Sequence, residues 1–232
     1  LRNTSFSFIP NTAEVAFYGL LKGLEDYLNK IKVERILSWD KDFDTEKLTE
    51  MVNLRIRIDK IAIKDVKMRT FITEDSSRNE MVQHVYDITY GTVRPGIDSL
   101  VVIDDSIVRG TTLKESIIKM LDRLGPKKII VVSSAPQIRY PDCYGIDMSK
   151  MGDFVAFQAA IALLKDHDKE HILQEAYGLC KELQRTNTLH AQNVVKNVYK
   201  PFTPEQISAK IAEILTPKGI GAEVEVIYQS IE

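Results

Sequence analysis

The chain opens on an alternation. Ser5-Phe6-Ser7-Phe8-Ile9 places apolar residues with the period of a strand. Pro10-Asn11-Thr12 breaks that period, and Thr12 predicts a cap for a helix over residues 13–30. Within it Val15, Phe17, Leu20, Leu21, Leu24 and Leu28 form a broad apolar stripe suited to packing on a sheet. Residues 33–37 predict a short strand, residues 40–44 an acidic loop, and Leu48, Met51 and Leu54 a second helix. Residues 60–64 and 68–72 are strand-like, whereas residues 73–79 are polar, unpatterned and read as a mobile loop.

The clearest unit follows. Leu100-Val101-Val102-Ile103 is a fully buried type of strand, and residues 104–112 read as a loop. Leu113, Ile117, Met120, Leu121 and Leu124 then keep helical spacing. Gly125-Pro126 stops that helix and residues 128–132 predict another continuous apolar strand. Strand, helix and strand in this order form a βαβ unit, which requires a parallel sheet. Beyond Tyr140 the pattern is mostly helical, over residues 152–164, 169–183 and 204–215, before a last alternating strand at residues 223–228. The expected organisation is an α/β core over residues 1–150 and a mostly helical C-terminal extension over residues 151–232 that packs on it. Neither an internal repeat nor a low-complexity stretch interrupts this order.

Composition narrows the picture by exclusion. Among 232 residues, 44% are hydrophobic and 28% charged, which disfavours disorder and collagen-like repetition. A formal net charge of −2, with no basic run, gives no electrostatic footprint for nucleic acid. The longest apolar tract, residues 154–164, is broken by Gln158 and too short to span a bilayer. Cys143 and Cys180 cannot make a disulfide framework, so a reduced, cytoplasmic protein is expected. Leu1 stands where an initiating Met would, so further sequence is expected upstream. His167 and His171 lie four apart around Glu170, a spacing that can bind zinc on a helix. No third ligand is evident nearby, and the pair reads as solvated surface.

Candidate chemistry concentrates in the loop after residues 100–103. A loop entering a helix N-terminus offers unpaired amides and a partial positive charge. Gly110 lets the backbone approach closely, Thr111 and Thr112 add hydroxyls, and Arg109 adds formal charge. Together these suit one phosphate group. Asp104 and Asp105 would oppose an anion unless they served hydroxyl groups or a hard cation such as Mg2+. A sugar phosphate satisfies both halves, with its charged end in the loop and its hydroxyls on the aspartates.

The run from Val101 to Thr112 resembles the phosphoribosyl pyrophosphate (PRPP) signature of type I phosphoribosyltransferases, in the form found in the amidophosphoribosyltransferase family. Further segments resemble that family: Arg69-Thr70-Phe71-Ile72, the run Ser134 to Pro141 followed by Tyr144 to Met148, and Ser7 to Ala13. The resemblance is strongest over residues 64–151. It implies a type I phosphoribosyltransferase-like parallel sheet flanked by helices, with a helical C-terminal extension. The implied reaction forms 5-phosphoribosylamine from PRPP and ammonia drawn from glutamine, with Mg2+, in purine synthesis. By similarity, Asp104 and Asp105 would bind the ribose hydroxyls and help place Mg2+, with Thr12 as a further metal contact. Ser106, Ile107, Val108, Arg109, Gly110, Thr111 and Thr112 would hold the 5-phosphate, while Lys64 and Arg69 would face the pyrophosphate. Read alone, Lys64 and Arg69 are equally well solvated charges beside strands. Purine nucleotide inhibitors and a homo-oligomer are also implied.

This chain departs from the family pattern at several points. Residues 81–86 carry no lysine where the family has a basic cluster, Ala13 follows Thr12 where a hydroxyl is common, and two cysteines cannot hold an iron–sulfur cluster. The family's glutamine-hydrolysing domain, with its N-terminal Cys nucleophile, is expected ahead of Leu1, so this chain alone would be ammonia-dependent at best. Two alternatives remain open at this level: a salvage phosphoribosyltransferase joining PRPP to a nucleobase, and a non-catalytic PRPP or nucleotide sensor.

Overall fold

The computed structural model describes residues 2–10, 12–39, 44–64, 86–142 and 148–231. The expected strand at residues 68–72, the loop at 73–79 and the segment 144–147 lie outside the described residues.

The four consecutive apolar residues at 100–103 suit a strand covered on both faces, and they form the middle of β5 (Ser99–Asp104). β1 (Thr4–Phe8) and β6 (Lys128–Ser133) flank it, with β2 (Arg57–Ile58) and β7 (Glu223–Tyr228) at the edges. The order is β2-β1-β5-β6-β7 and every pairing is parallel. The expected α/β parallel sheet is therefore present. Residues 62–64 and 86–88 form a separate antiparallel pair, β3 (Ala62–Lys64) and β4 (Tyr86–Ile88).

Alternate side chains of this sheet serve two cores. On one face Phe6, Val101 and Ile103 pack with Phe17 of α1 (Glu14–Leu37). On the other, Leu100, Val102, Ile129, Val131 and Val226 meet three helices. These are α3 (Ile118–Asp122), α4 (Val155–Asp166) and α7 (Pro204–Leu215). The second face holds the larger cluster, including Leu121, Leu164, Ile207, Ile211 and Leu215. Each such side chain stabilises the fold by about 1.5–3 kcal/mol, so that face dominates. Residues 151–231 carry α4, α5 (His171–Arg185), α6 (Lys196–Tyr199) and α7, then return β7 to the sheet beside β6.

Three local expectations are corrected. Residues 33–37 are the end of α1, not a strand, because nothing between Lys30 and Leu37 breaks the helix; Val33 and Leu37 face solvent four residues apart. Thr12 does not cap α1, whose N-cap is Ala13 with no side-chain hydrogen bond. The apolar stripe of α1 is only partly used: Phe17 and Leu28 are buried, but Val15 is 81% exposed. The second helix, α2 (Thr45–Asn53), does begin where expected, with Asp44 accepting from the amides of Glu46 and Lys47. Among the described residues no helix is long and apolar enough to cross a membrane.

The strand order places the site. The chain leaves β1 toward β2 on one side and leaves β5 toward β6 on the other. Such a reversal opens a crevice at the carboxyl ends of β1 and β5. A hydrogen bond from Ile9 N–H to the Ile103 carbonyl, 2.9 Å, carries the pairing to its lip.

Candidate ribose-phosphate site

Asp104 is the last residue of β5 and shares the register face of Val102, so its side chain is directed toward the helical layer rather than toward α1. Its Oδ1 accepts the Asp105 amide at 2.9 Å, and Asp105 Oδ1 accepts the Ser106 amide at 2.8 Å. Ser134, just beyond β6, fixes the same turn: its amide donates to the Asp104 carbonyl at 2.9 Å and its hydroxyl to the Asp105 carbonyl at 3.0 Å. Among the described residues neither carboxylate is in a salt bridge with a cationic side chain. Burial, reinforced by the neighbouring Asp105 charge, pushes the Asp104 carboxyl up to about 7; the Asp105 amide opposes the rise.

The loop that follows is fixed from below. Ile107 is buried in the larger core, and Val155 at the start of α4 donates its amide to the Val108 carbonyl at 2.8 Å. Gly110 has φ +70°, a left-handed conformation natural to glycine. A Cβ there would stand 2.4 Å from Leu215 Cδ2, so α7 presses directly on the loop. Lys114 N–H donates to the Gly110 carbonyl at 3.0 Å and begins a π-helical turn, Leu113–Ile117, that runs into α3. The amides from Gly110 to Leu113 therefore precede the first intrahelical donor. Thr111 and Thr112 are exposed beside them. This set of donors suits a tetrahedral anion. The Arg109 guanidinium lies 3.4 Å from Asp153, which belongs to the 3-10 turn Met151–Asp153.

The structure thus brings Asp104 through Thr112 into one continuous turn. Thr12 lies exposed at the same end of the sheet, after β1. Lys64 ends β3, where only its backbone is described, and Arg69 lies outside the described residues. Two carboxylates on a turn suit a hard divalent cation that keeps waters and takes its remaining ligands from a bound phosphate. Among the described residues no group of three His, Cys, Asp or Glu side chains could hold a metal. His167 instead sets Nδ1 2.8 Å from the Leu163 carbonyl and its ring against Phe202.

Sequence reading placed Ser134 at the head of a family-like run without giving it a role, and missed Asp153, Leu215 and Tyr228. Asp153 and Leu215 are revealed only by packing. Tyr228 ends β7, and the strand pattern located the residue but not its hydroxyl, which is buried without a hydrogen-bond partner among the described residues.

No protein-family model matches the chain. It is 42% identical over 92 residues to amidophosphoribosyltransferases of Pasteurella multocida and Haemophilus influenzae, covering 38% of this chain and 18% of each relative. It is 48% identical over 58 residues to that of Escherichia coli, covering 25% of this chain and 11% of the relative. Among solved structures, a Bacillus subtilis glutamine PRPP amidotransferase with ADP and GMP aligns over 70% of this chain and 29% of its own, at 23% identity and a TM-score of 0.41. A structure described as the allosteric regulatory enzyme of purine biosynthesis aligns over 66% of this chain and 26% of its own, at 26% identity and a TM-score of 0.40. The chain spans less than a fifth of the length of these curated relatives, and over the aligned stretch it is similar to amidophosphoribosyltransferases.

Proposed function

We propose that this chain is the PRPP-handling part of an amidophosphoribosyltransferase. It would transfer the phosphoribosyl group to ammonia and form 5-phosphoribosylamine for purine synthesis. One observation carries the reading: the Asp104-Asp105 turn opens straight into the Gly110 anion loop at the sheet's switch point. In this reading residues 1–150 form the phosphoribosyltransferase core and residues 151–232 brace it. Ammonia comes from glutamine hydrolysed by another part of the enzyme. Purine nucleotides would inhibit it, and the working form is a cytoplasmic homo-oligomer.

The chemistry follows from the charges. Ser106 through Thr112 hold the 5-phosphate with amides and hydroxyls, fixing one end of the sugar. Asp104 and Asp105 accept the ribose hydroxyls, orienting C1 toward the open crevice. When bound there, Mg2+ neutralises charge on the pyrophosphate leaving group and so eases departure. By resemblance to the family, Lys64 and Arg69 would meet the charge of the departing pyrophosphate. The developing oxocarbenium ion is stabilised by the fixed carboxylates, and ammonia attacks C1 once water is excluded.

Calorimetry with PRPP and Mg2+ tests the reading directly. The wild-type chain should bind, and the double variant Asp104→Asn, Asp105→Asn should lose binding by about a hundredfold or more, roughly 3 kcal/mol. A wild-type chain that takes up neither PRPP nor ribose 5-phosphate overturns it.

A further inference from the structure

Three strands end side by side at the site. Asp104 of β5 is in register with Ser133 of β6, and Ser133 with Tyr228 of β7. Registered residues of parallel strands project from the same face, so these three form a row across the carboxyl edge of the sheet. With strands about 4.8 Å apart, the outer two Cα atoms stand about 10 Å from each other. The residue between them is small, and its hydroxyl is committed elsewhere, donating to the Ala135 carbonyl at 2.8 Å. A tyrosine side chain is long enough to lie across it. Tyr228 packs its ring against the larger core, while its hydroxyl is buried and finds no hydrogen-bond partner among the described residues.

A buried phenol without an acceptor is unusual, since such groups are nearly always paired. Burial is the chief reason that ionisation of Tyr228 is disfavoured. The phenol therefore holds its proton and can only donate to an anionic neighbour. Asp104 already uses Oδ1 to accept the Asp105 amide. No hydrogen bond from another described residue engages its other oxygen, which is left for a ligand or the phenol.

We propose that Tyr228 is a positioning residue for Asp104: its hydroxyl donates to the Asp104 carboxylate when a ribose diol is bound, and so fixes the oxygen that receives the sugar hydroxyl. The proposal rests on the ribose-phosphate reading of the site. It separates two halves of recognition: Tyr228 acts on the sugar half alone, and the anion loop from Ser106 to Thr112 acts without it.

NMR titration of the full chain separates the halves, with Mg2+ present and ribose 5-phosphate and inorganic phosphate as probes. Tyr228→Phe keeps the ring and removes only the donor. It should weaken ribose 5-phosphate about tenfold while leaving phosphate, read at the Gly110 amide, unchanged. In an Asp104→Ala background the same substitution should cost nothing further, because its effect runs through that carboxylate. Equal losses for both probes would mean a general packing defect and overturn the proposal. So would an undiminished affinity for ribose 5-phosphate, or losses that simply add in the double variant. Failure of the wild-type chain to bind either probe is a different result: it removes the ribose-phosphate reading itself.

Discussion

At the scale of single residues, the site holds a carboxyl group whose ionisation opposes folding. Asp104 is pushed up to about 7 by burial and by Asp105, so its native carboxyl lies above the ordinary value of 3.8. Between those values the native state binds more protons than the unfolded one, and stability falls as pH rises through the window. Above it the cost is fully present. Replacing Asp104 by Asn should therefore stabilise the metal-free protein by on the order of 1–3 kcal/mol at pH 8 and by little near pH 3.5. Urea titrations of both proteins at the two pH values measure this; a variant less stable than wild type at pH 8 refutes it. Gly110 has the reverse character. Ala there meets both the positive φ and Leu215, so Gly110→Ala should cost about 1–3 kcal/mol and weaken PRPP about tenfold or more. Thermal melts and calorimetry on one preparation read both effects.

At the scale of elements, the opposite end of the sheet shows how a buried carboxylate is satisfied. Asp98, immediately before β5, is fully buried and accepts from Arg57 of β2 at 2.7 Å and from Arg94 at 2.5 Å. Arg57 also reaches the Thr92 carbonyl at 2.8 Å, so one carboxylate joins an edge strand, the central strand and the loop between them. The two guanidinium groups hold the Asp98 carboxyl well below its ordinary value. A depressed native value contributes stability at higher pH, and that contribution is lost as acid protonates the group. Asp98→Asn should cost about 3 kcal/mol at neutral pH, the lower end for a broken buried pair because both arginines are partly solvated. The difference from wild type should shrink below pH 4. A difference that stays constant into acid would show that packing, not charge, holds this corner.

Much of this was legible in the sequence, for identifiable reasons. The run at 100–103, the helix stop at Gly125-Pro126 and the alternation at 223–228 each carry a local signal, and each appears where expected. The ends of α1 did not, because Val33 and Leu37 look like a strand until the unbroken helix before them is considered. The turn from Asp104 to Thr112 was readable since its residues are contiguous. Tyr228, Leu215 and Asp153 were not, because what makes them matter is long-range packing that no spacing encodes.

At the scale of the whole molecule, that packing binds distant parts of the chain into one machine. The carboxyl edge of the sheet is assembled from β1, β5, β6 and β7, and the loop from Ser106 to Thr112 is pressed between α4 and α7. Native-state hydrogen exchange should accordingly be slowest in β5 and β6, which are paired on both sides, and faster in the edge strands β2 and β7. The approach of Leu215 to Gly110 has a consequence for the order in which mutations can accumulate. A methyl group at 110 collides with a full leucine, but it meets less resistance once position 215 has become Ala. Leu215→Ala taken first leaves a cavity and a weakened but folded protein; Gly110→Ala taken first meets the clash at full strength. The two changes are thus historically contingent. A lineage could cross from one pair to the other far more readily in one order than in the reverse, and stability measurements on the four combinations would expose the asymmetry.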